Sequence, residues 1–203
     1  MSAFIELCVE TRPFERIEAD LACAGFFLDE RPLRGAAGRA DWRLCGRVTE
    51  LVGSGRLRGK LGEAALVPSM GRLAADRVLL LGLGRRSSFR VGRARDTSHS
   101  AVERSLALGV RAVVLAPPVG GPDSFSRHAS GIVRGVIEAA KQGSGALRMT
   151  LAVPFAEVTE ALKSLEKAVT ADLASELRWL GYPDTSSARA PQPVSPKGFS
   201  SNS

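Results

Sequence analysis

Four groups of residues carry types and spacings that can do chemistry. The first is Gly35-Ala36-Ala37-Gly38, placed just ahead of a helical pattern. A glycine-rich turn that opens a helix can direct backbone N–H groups at a phosphate. The same turn also serves a tight helix start that needs small residues. The second is Gly82-Leu83-Gly84, at the end of an aliphatic run. A dinucleotide fingerprint wants a third glycine three positions on, and Ser87 stands there, which favours a tight strand exit. The third is the basic series Arg85, Arg86, Arg90, Arg93 and Arg95, uninterrupted by an acid until Asp96, with Arg56, Arg58 and Lys60 as a second cluster. Such runs give salt-sensitive phosphate contacts, or form a solvated loop. No aromatic stacking groups interleave these arginines. The fourth is the histidines: His99 near Asp96 and Ser98, His128 near Asp123 and Ser126. Catalytic triads converge from separate segments, so these neighbours define none. The sequence therefore nominates no catalytic residue and no metal-ligating set.

The elements that must position these groups belong to a chain of 203 residues, 44% hydrophobic, 24% charged and 5% aromatic. That balance builds one core of Leu, Val and Ala, with extra segments. Cys8, Cys23 and Cys45 are odd in number and far apart, which fits no zinc pattern and implies reduced thiols in a cytoplasm. No apolar run approaches the roughly 20 residues of a membrane span, and the alternating, acid-bearing N-terminus is not a signal peptide. The formal charge of +7 favours anionic partners, although arginine preference also follows from genome base composition.

Strands are predicted over Ser2–Val9, Asp20–Leu28, Ala64–Pro68, Arg77–Leu83, Arg111–Ala116 and Leu147–Val153. A helical turn is predicted at Pro13–Ile17. Helices are predicted over Arg39–Val52, from an Asp96/Thr97 cap to Leu108, and over Ser124–Lys141. This alternation predicts a three-layer α/β domain with a largely parallel sheet. Beyond Pro154, Phe155, Val158, Leu162, Leu165, Val169, Leu173, Leu177 and Leu180 recur every three or four residues. They predict a long amphipathic helix ending at Gly181. From Tyr182 the chain is Pro-, Ser- and Ala-rich and is predicted to be a disordered tail. The predicted organisation is a domain over 1–153, a helix over 154–181 and a tail over 182–203.

Several short motifs then fall in a specific order: Pro32-Leu33-Arg34-Gly35, Gly35 to Gly38, Gly46, Gly62-Glu63, Gly71-Arg72-Leu73 and Gly82-Leu83-Gly84. Together they resemble the N-terminal domain of the leucyl (cytosol) aminopeptidases, two-domain metal exopeptidases. The resemblance covers roughly residues 1–153. It implies a macro-domain-like fold, with a mixed sheet between helices. In that family the chemistry sits in a separate C-terminal domain of some 300 residues, too long for this chain to contain. Its metal-binding run, of the type Asn-Thr-Asp-Ala-Glu-Gly-Arg, is absent here, as are its catalytic Lys and Arg motifs. The resemblance thus carries over the fold and no catalytic residue, cofactor or metal.

The macro-like fold implies a nucleotide alternative, with Asp20, Gly35 and Gly38 as binding residues for ADP-ribose and Gly131 to Gly135 as a faint second loop. Some bacterial members of the family bind DNA, which points to the arginine series. The C-terminal helix has two readings: packing on its own sheet, or a seam of Leu162, Leu165, Val169, Leu173 and Leu177 that pairs with another copy or partner. The leading functional expectation is a non-catalytic interaction or scaffold domain in a homo-oligomer, with no membrane association.

Overall fold

The computed structural model describes residues 2–118, 124–172 and 174–182. Seven strands form one sheet: β1 (Phe4–Glu10), β2 (Ala19–Phe26), β3 (Ala64–Pro68), β4 (Ala75–Gly82), β5 (Ala112–Ala116), β6 (Ala146–Ala152) and β7 (Leu177–Gly181). Their order is β3-β4-β2-β5-β6-β1-β7. Every pairing is parallel except that of β3 with β4. The near-continuous aliphatic strands β2, β4 and β5 occupy the middle, where both faces are covered.

Five helices flank the sheet: α1 (Gly35–Arg43), α2 (Arg47–Gly53), α3 (Val91–Ala107), α4 (Ser124–Gln142) and α5 (Val158–Asp172). One face packs Ile5, Leu7, Cys23, Leu81 and Leu115 against α3, α4 and α5. The other packs Ala22, Ala24, Leu80 and Val114 against Ala37, Ala40, Val48 and Phe14. This is the three-layer, largely parallel α/β architecture that the alternation predicts. The second layer is partial. Along β1 and β6 that face carries paired polar residues, Glu6 beside Arg148 at 3.0 Å and Cys8 beside Thr150 at 3.3 Å.

Three predicted elements differ. The single helix over Arg39–Val52 is two. Cys45 (φ 54°) and Gly46 (φ 82°) take left-handed backbone between them, and Asp41 Oδ1 accepts from the amides of Val48 (2.8 Å) and Thr49 (2.9 Å). A side-chain acceptor restarts the helix after the turn. Next, α3 begins at Val91, so Asp96 and Thr97 lie inside it, and Thr97 Oγ1 donates to the Arg93 carbonyl at 2.7 Å instead of capping. The third difference is the long C-terminal helix, which stops at Asp172. The chain turns and adds β7 parallel to β1, with Ile5 opposite Leu177. The apolar spacing runs across this turn without a break. β1, however, would otherwise be an edge, and β7 satisfies its outward backbone groups.

The α3–α4 contact fixes the helical layer. A Cβ added at Gly131 would lie 2.3 Å from the Val91 carbonyl oxygen, and one at Gly135 would lie 2.2 Å from that of Arg95. These two glycines, one turn apart, let the helix backbones approach. Ser98 Oγ crosses the seam to donate to the Ile132 carbonyl at 3.0 Å. Gly131 to Gly135 is therefore a packing stripe in mid-helix and not a phosphate loop.

Candidate functional site

Two concave surfaces stand out, and each follows from topology. After β2 the chain enters α1 on one face of the sheet, whereas α4, which follows β5, packs on the other. Adjacent strands whose connections leave on opposite faces open a crevice at their carboxyl ends. Here that crevice is about 300 Å³, lined by Gly25 and Phe27 after β2, Ala116 to Pro118 after β5, Ala152 and Pro154 after β6, and Arg34 to Ala36 with Arg39 at α1. Glu30, Arg86 and Glu157 complete it.

The charges of this crevice resolve into pairs and remainders. Arg86 meets Glu30 at 2.8 Å and stacks over the Phe27 ring, with its guanidinium 5.2 Å from the centroid. Arg39 meets Glu15 at 3.1 Å. Arg34 is exposed and makes no ion pair among the described residues. Glu157 Oε2 is sealed from solvent with no hydrogen-bond partner. An orphaned buried acceptor costs about 1–3 kcal/mol, so it marks a place where a partner is wanted.

The second surface is a groove of about 490 Å³ beside the edge strand β3. Leu44, Cys45, Leu51, Leu66, Val67, Met70 and Arg72 line it. Met70 is 76% exposed and Leu66 43%. Trp42, on the last turn of α1 leading into this wall, is 76% exposed and carries Arg43 over its ring at 5.3 Å. The Arg72 guanidinium contacts Cys45 Sγ across the groove. Burial pushes the thiols of Cys8 and Cys23 up, while Cys45 is exposed.

The predicted site residues scatter. Asp20 sits at the start of β2, the opposite end of the strand from the crevice. Its Oδ2 accepts from Arg111 N (2.7 Å) and Ala112 N (2.9 Å). The amides of Ala112 and Arg111 hold its carboxyl below the usual range. Asp20 is a clamp that fixes the start of β5 on β2, so the structure does not join it to Gly35. Gly35 does line the crevice, with φ 57°. Gly38 faces the Leu33 carbonyl oxygen, 2.5 Å from where a Cβ would lie, and serves packing. Gly82 is likewise structural: a Cβ there would lie 2.0 Å from the Lys60 carbonyl oxygen. That contact lays the segment Gly59 to Glu63 across the end of β4, and Glu63 Oε2 accepts from the amides of Arg58, Gly59 and Lys60 at 2.8, 2.6 and 3.0 Å.

The arginine series divides between a loop and a helix. Arg85 and Arg86 follow β4, Arg90 precedes α3, and Arg93 and Arg95 lie on α3. Arg93 pairs with Asp96 at 3.7 Å, and Arg95 with Asp96 at 3.1 Å and Glu138 at 3.8 Å. Of the proposed seam, Leu165 is fully buried in the domain's own core, Leu162 and Val169 pack against the same cluster, and Leu177 is in β7. Leu173 lies outside the described residues, as do Asp123 and the segment from 183 onward. The helix thus takes the first of its two readings. His99 is mid-helix in α3, and His128 Nδ1 contacts the Ser124 carbonyl at 2.7 Å beside Phe89. Sequence reasoning missed Arg34, Glu30, Glu157, Trp42 and the Leu66–Met70 groove. Glu157 carried no signal, whereas alternation in β3 already put Leu66 on the face opposite Val67.

No group of three or more His, Cys, Asp or Glu among the described residues is placed to hold a metal ion. None of the described helices is long and apolar enough to cross a membrane.

Fold and crevice together define a macrodomain-like α/β unit. An Oceanobacillus iheyensis macrodomain mutant superposes with TM-score 0.63 at 10% identity, over 81% of this chain and 93% of that one. A tomato leucine aminopeptidase mutant superposes with TM-score 0.61 at 17% identity, over 83% of this chain and 36% of that one. Residues 25–143 match the cytosol aminopeptidase family, N-terminal domain, and the chain belongs to that family. A probable cytosol aminopeptidase of Azoarcus sp. is 32% identical over 54% of this chain and 21% of its own length. Another, from Alkaliphilus oremlandii, is 28% identical over 50% of this chain and 20% of its own. The chain spans about a fifth of the length of these relatives.

Proposed function

We propose that this chain is a non-catalytic interaction domain that associates with a second copy of itself along β3. The exposed apolar groove at the sheet edge carries this reading. β3 pairs with β4 on one side, and its other backbone edge is open to a partner strand. Leu66 and Met70 stand exposed beside that edge, with Trp42 nearby. Apolar surface gathered at one place on a small domain marks an interaction site. A strand edge is also self-complementary: two β3 strands related by a two-fold axis pair antiparallel, the geometry β3 already uses with β4. Pro68 limits the ladder to the residues before it, so side chains of the groove supply most of the contact. The apolar stripe of the C-terminal helix packs on the core, which supports β3 over that helix as the interface.

Light scattering on the full chain tests the proposal. The expected species is a dimer at micromolar concentration, converted to monomer by Leu66→Lys, which sets a charge at the edge. A wild-type monomer at high micromolar concentration would refute it, as would a Leu66→Lys dimer of unchanged stability.

A further inference from the structure

The crevice between β2 and β5 carries a second function. Its lining holds three arginines and two glutamates, Arg34, Arg39, Arg86, Glu30 and Glu157. Two arginines are already engaged, Arg86 by Glu30 at 2.8 Å and Arg39 by Glu15 at 3.1 Å. What remains is one guanidinium, Arg34, and one carboxyl, Glu157, whose Oε2 has no partner. We infer that the crevice is a site for a small zwitterion, an α-amino acid, whose carboxylate is taken by Arg34 and whose ammonium is taken by Glu157.

Three observations support that ligand class. Arg34 immediately precedes α1, so the first amides of a nine-residue helix open beside it. Such amides lack intrahelical acceptors and, with the guanidinium, suit an anionic oxygen pair. Glu157 stands on the opposite wall, just ahead of α5, where Pro154 and Ala152 border it. Glu157 lines the crevice, and its other carboxylate oxygen, Oε1, is not sealed as Oε2 is, so an ammonium there gives the carboxylate a donor. The third is size and charge. About 300 Å³ is the lower end of the range for drug-sized ligands. A pyrophosphate ligand would set two or more negative charges beside Glu30 and Glu157 with a single uncommitted arginine to balance them. A zwitterion satisfies both remainders and adds no net charge.

Titration calorimetry on the full chain tests the inference, with L-leucine, L-glutamate and L-lysine as probes. Sodium acetate, ammonium chloride and ADP-ribose are the comparison arms. At least one amino acid is expected to bind with a dissociation constant below about 10 mM, while acetate and ammonium alone bind at least about tenfold more weakly. Glu157→Gln keeps the shape of the side chain, and Arg34→Gln changes an exposed residue. Each is expected to weaken amino-acid binding by about tenfold or more, with the melting temperature measured alongside. If Glu157→Gln melts early, Arg34→Gln alone carries the comparison. The inference is overturned if no amino acid gives heat at about 10 mM, if ADP-ribose binds more tightly than every amino acid, or if the folded variants bind as the wild type does.

Discussion

Gly135→Ala is the sharpest perturbation the structure offers, because two effects of opposite sign act at one atom. Alanine is the better helix former by about 1 kcal/mol, so in open space the change stabilises. At Gly135 the new Cβ would lie 2.2 Å from the Arg95 carbonyl oxygen, 2.3 Å from Ser98 Oγ and 2.9 Å from His99 N. Ordinary carbon–oxygen contact is about 3.5 Å, so α3 and α4 must part by roughly 1 Å. Two of the obstacles are backbone atoms, which no side-chain rotation removes. Overpacking of this kind costs about 1–3 kcal/mol. Losing the Ser98–Ile132 bond, which spans the same seam at 3.0 Å, adds about 1 kcal/mol. The clash therefore outweighs the propensity gain, for a net loss of about 1–3 kcal/mol. At roughly 2–4 °C per kcal/mol for a chain of this size, the melting temperature is expected to fall by about 2–12 °C. Gly92→Ala, on α3 with nothing within 4 Å of its Cβ, is the control and is expected to gain a few tenths to about 1 kcal/mol. Thermal melts followed by circular dichroism read both. A Gly135→Ala chain as stable as the wild type would refute the close approach of the two helices.

Two further outcomes follow from the same packing. Burial raises the Glu63 carboxyl, but the amides of Arg58, Lys60 and Gly59 more than offset this and leave it below its ordinary value. Its contribution is thus complete above the ordinary glutamate range and is lost as pH falls through the lowered folded value. The gap in urea midpoint between wild type and Glu63→Gln is expected to narrow from pH 7 to pH 3, and an equal gap at both would contradict this. Ending the chain after Pro154 removes α5 and β7, including the buried Ala161, Leu165 and Leu177, at about 1.5–3 kcal/mol for each large side chain. Against a total of about 5–15 kcal/mol this chain is expected to lose its cooperative melt, and an unchanged melt would refute the assignment of α5 to the core.

What was legible in the sequence is what short-range pattern encodes. The aliphatic run Arg77 to Leu83 reads as a strand covered on both faces, and β4 is that strand. The motif order from Pro32 to Gly84 identifies the family because each glycine answers a local demand, as Gly82 does under the Lys60 carbonyl. Boundaries failed where a distant element decided them. Nothing between Phe155 and Leu180 marks the turn that frees β7, because the reason for it is the open edge of β1, some 170 residues away. Asp41 reads as a helix interior residue until its carboxyl is seen to restart α2. The crevice was half legible. Gly35 is there, but its partners come from loops after four different strands, and no spacing links Arg34 to Glu157.

The arginine series shows why charge counted along a chain misplaces a site. Arg85 to Arg95 reads as the most concentrated cation in the sequence, since no acid interrupts it. Folding brings the acids from elsewhere: Glu30 from the segment after β2, Glu138 from α4, and Asp96 by the turn of α3 itself. Asp29 also accepts from the Arg86 amide at 2.9 Å. Ion pairs this exposed contribute little to stability, about 0–1 kcal/mol each, but they neutralise the field that would draw a phosphate backbone. Arg34 has the opposite history. It is a lone arginine in a motif of small residues, with no sequence feature to recommend it, yet no acid among the described residues pairs with it. A cation without an ion pair among the described residues, set in a concave site, directs an anionic group more effectively than Arg86, Arg93 and Arg95, which acids already neutralise. On that physical ground we favour the crevice at α1 over the arginine series as the place for a ligand.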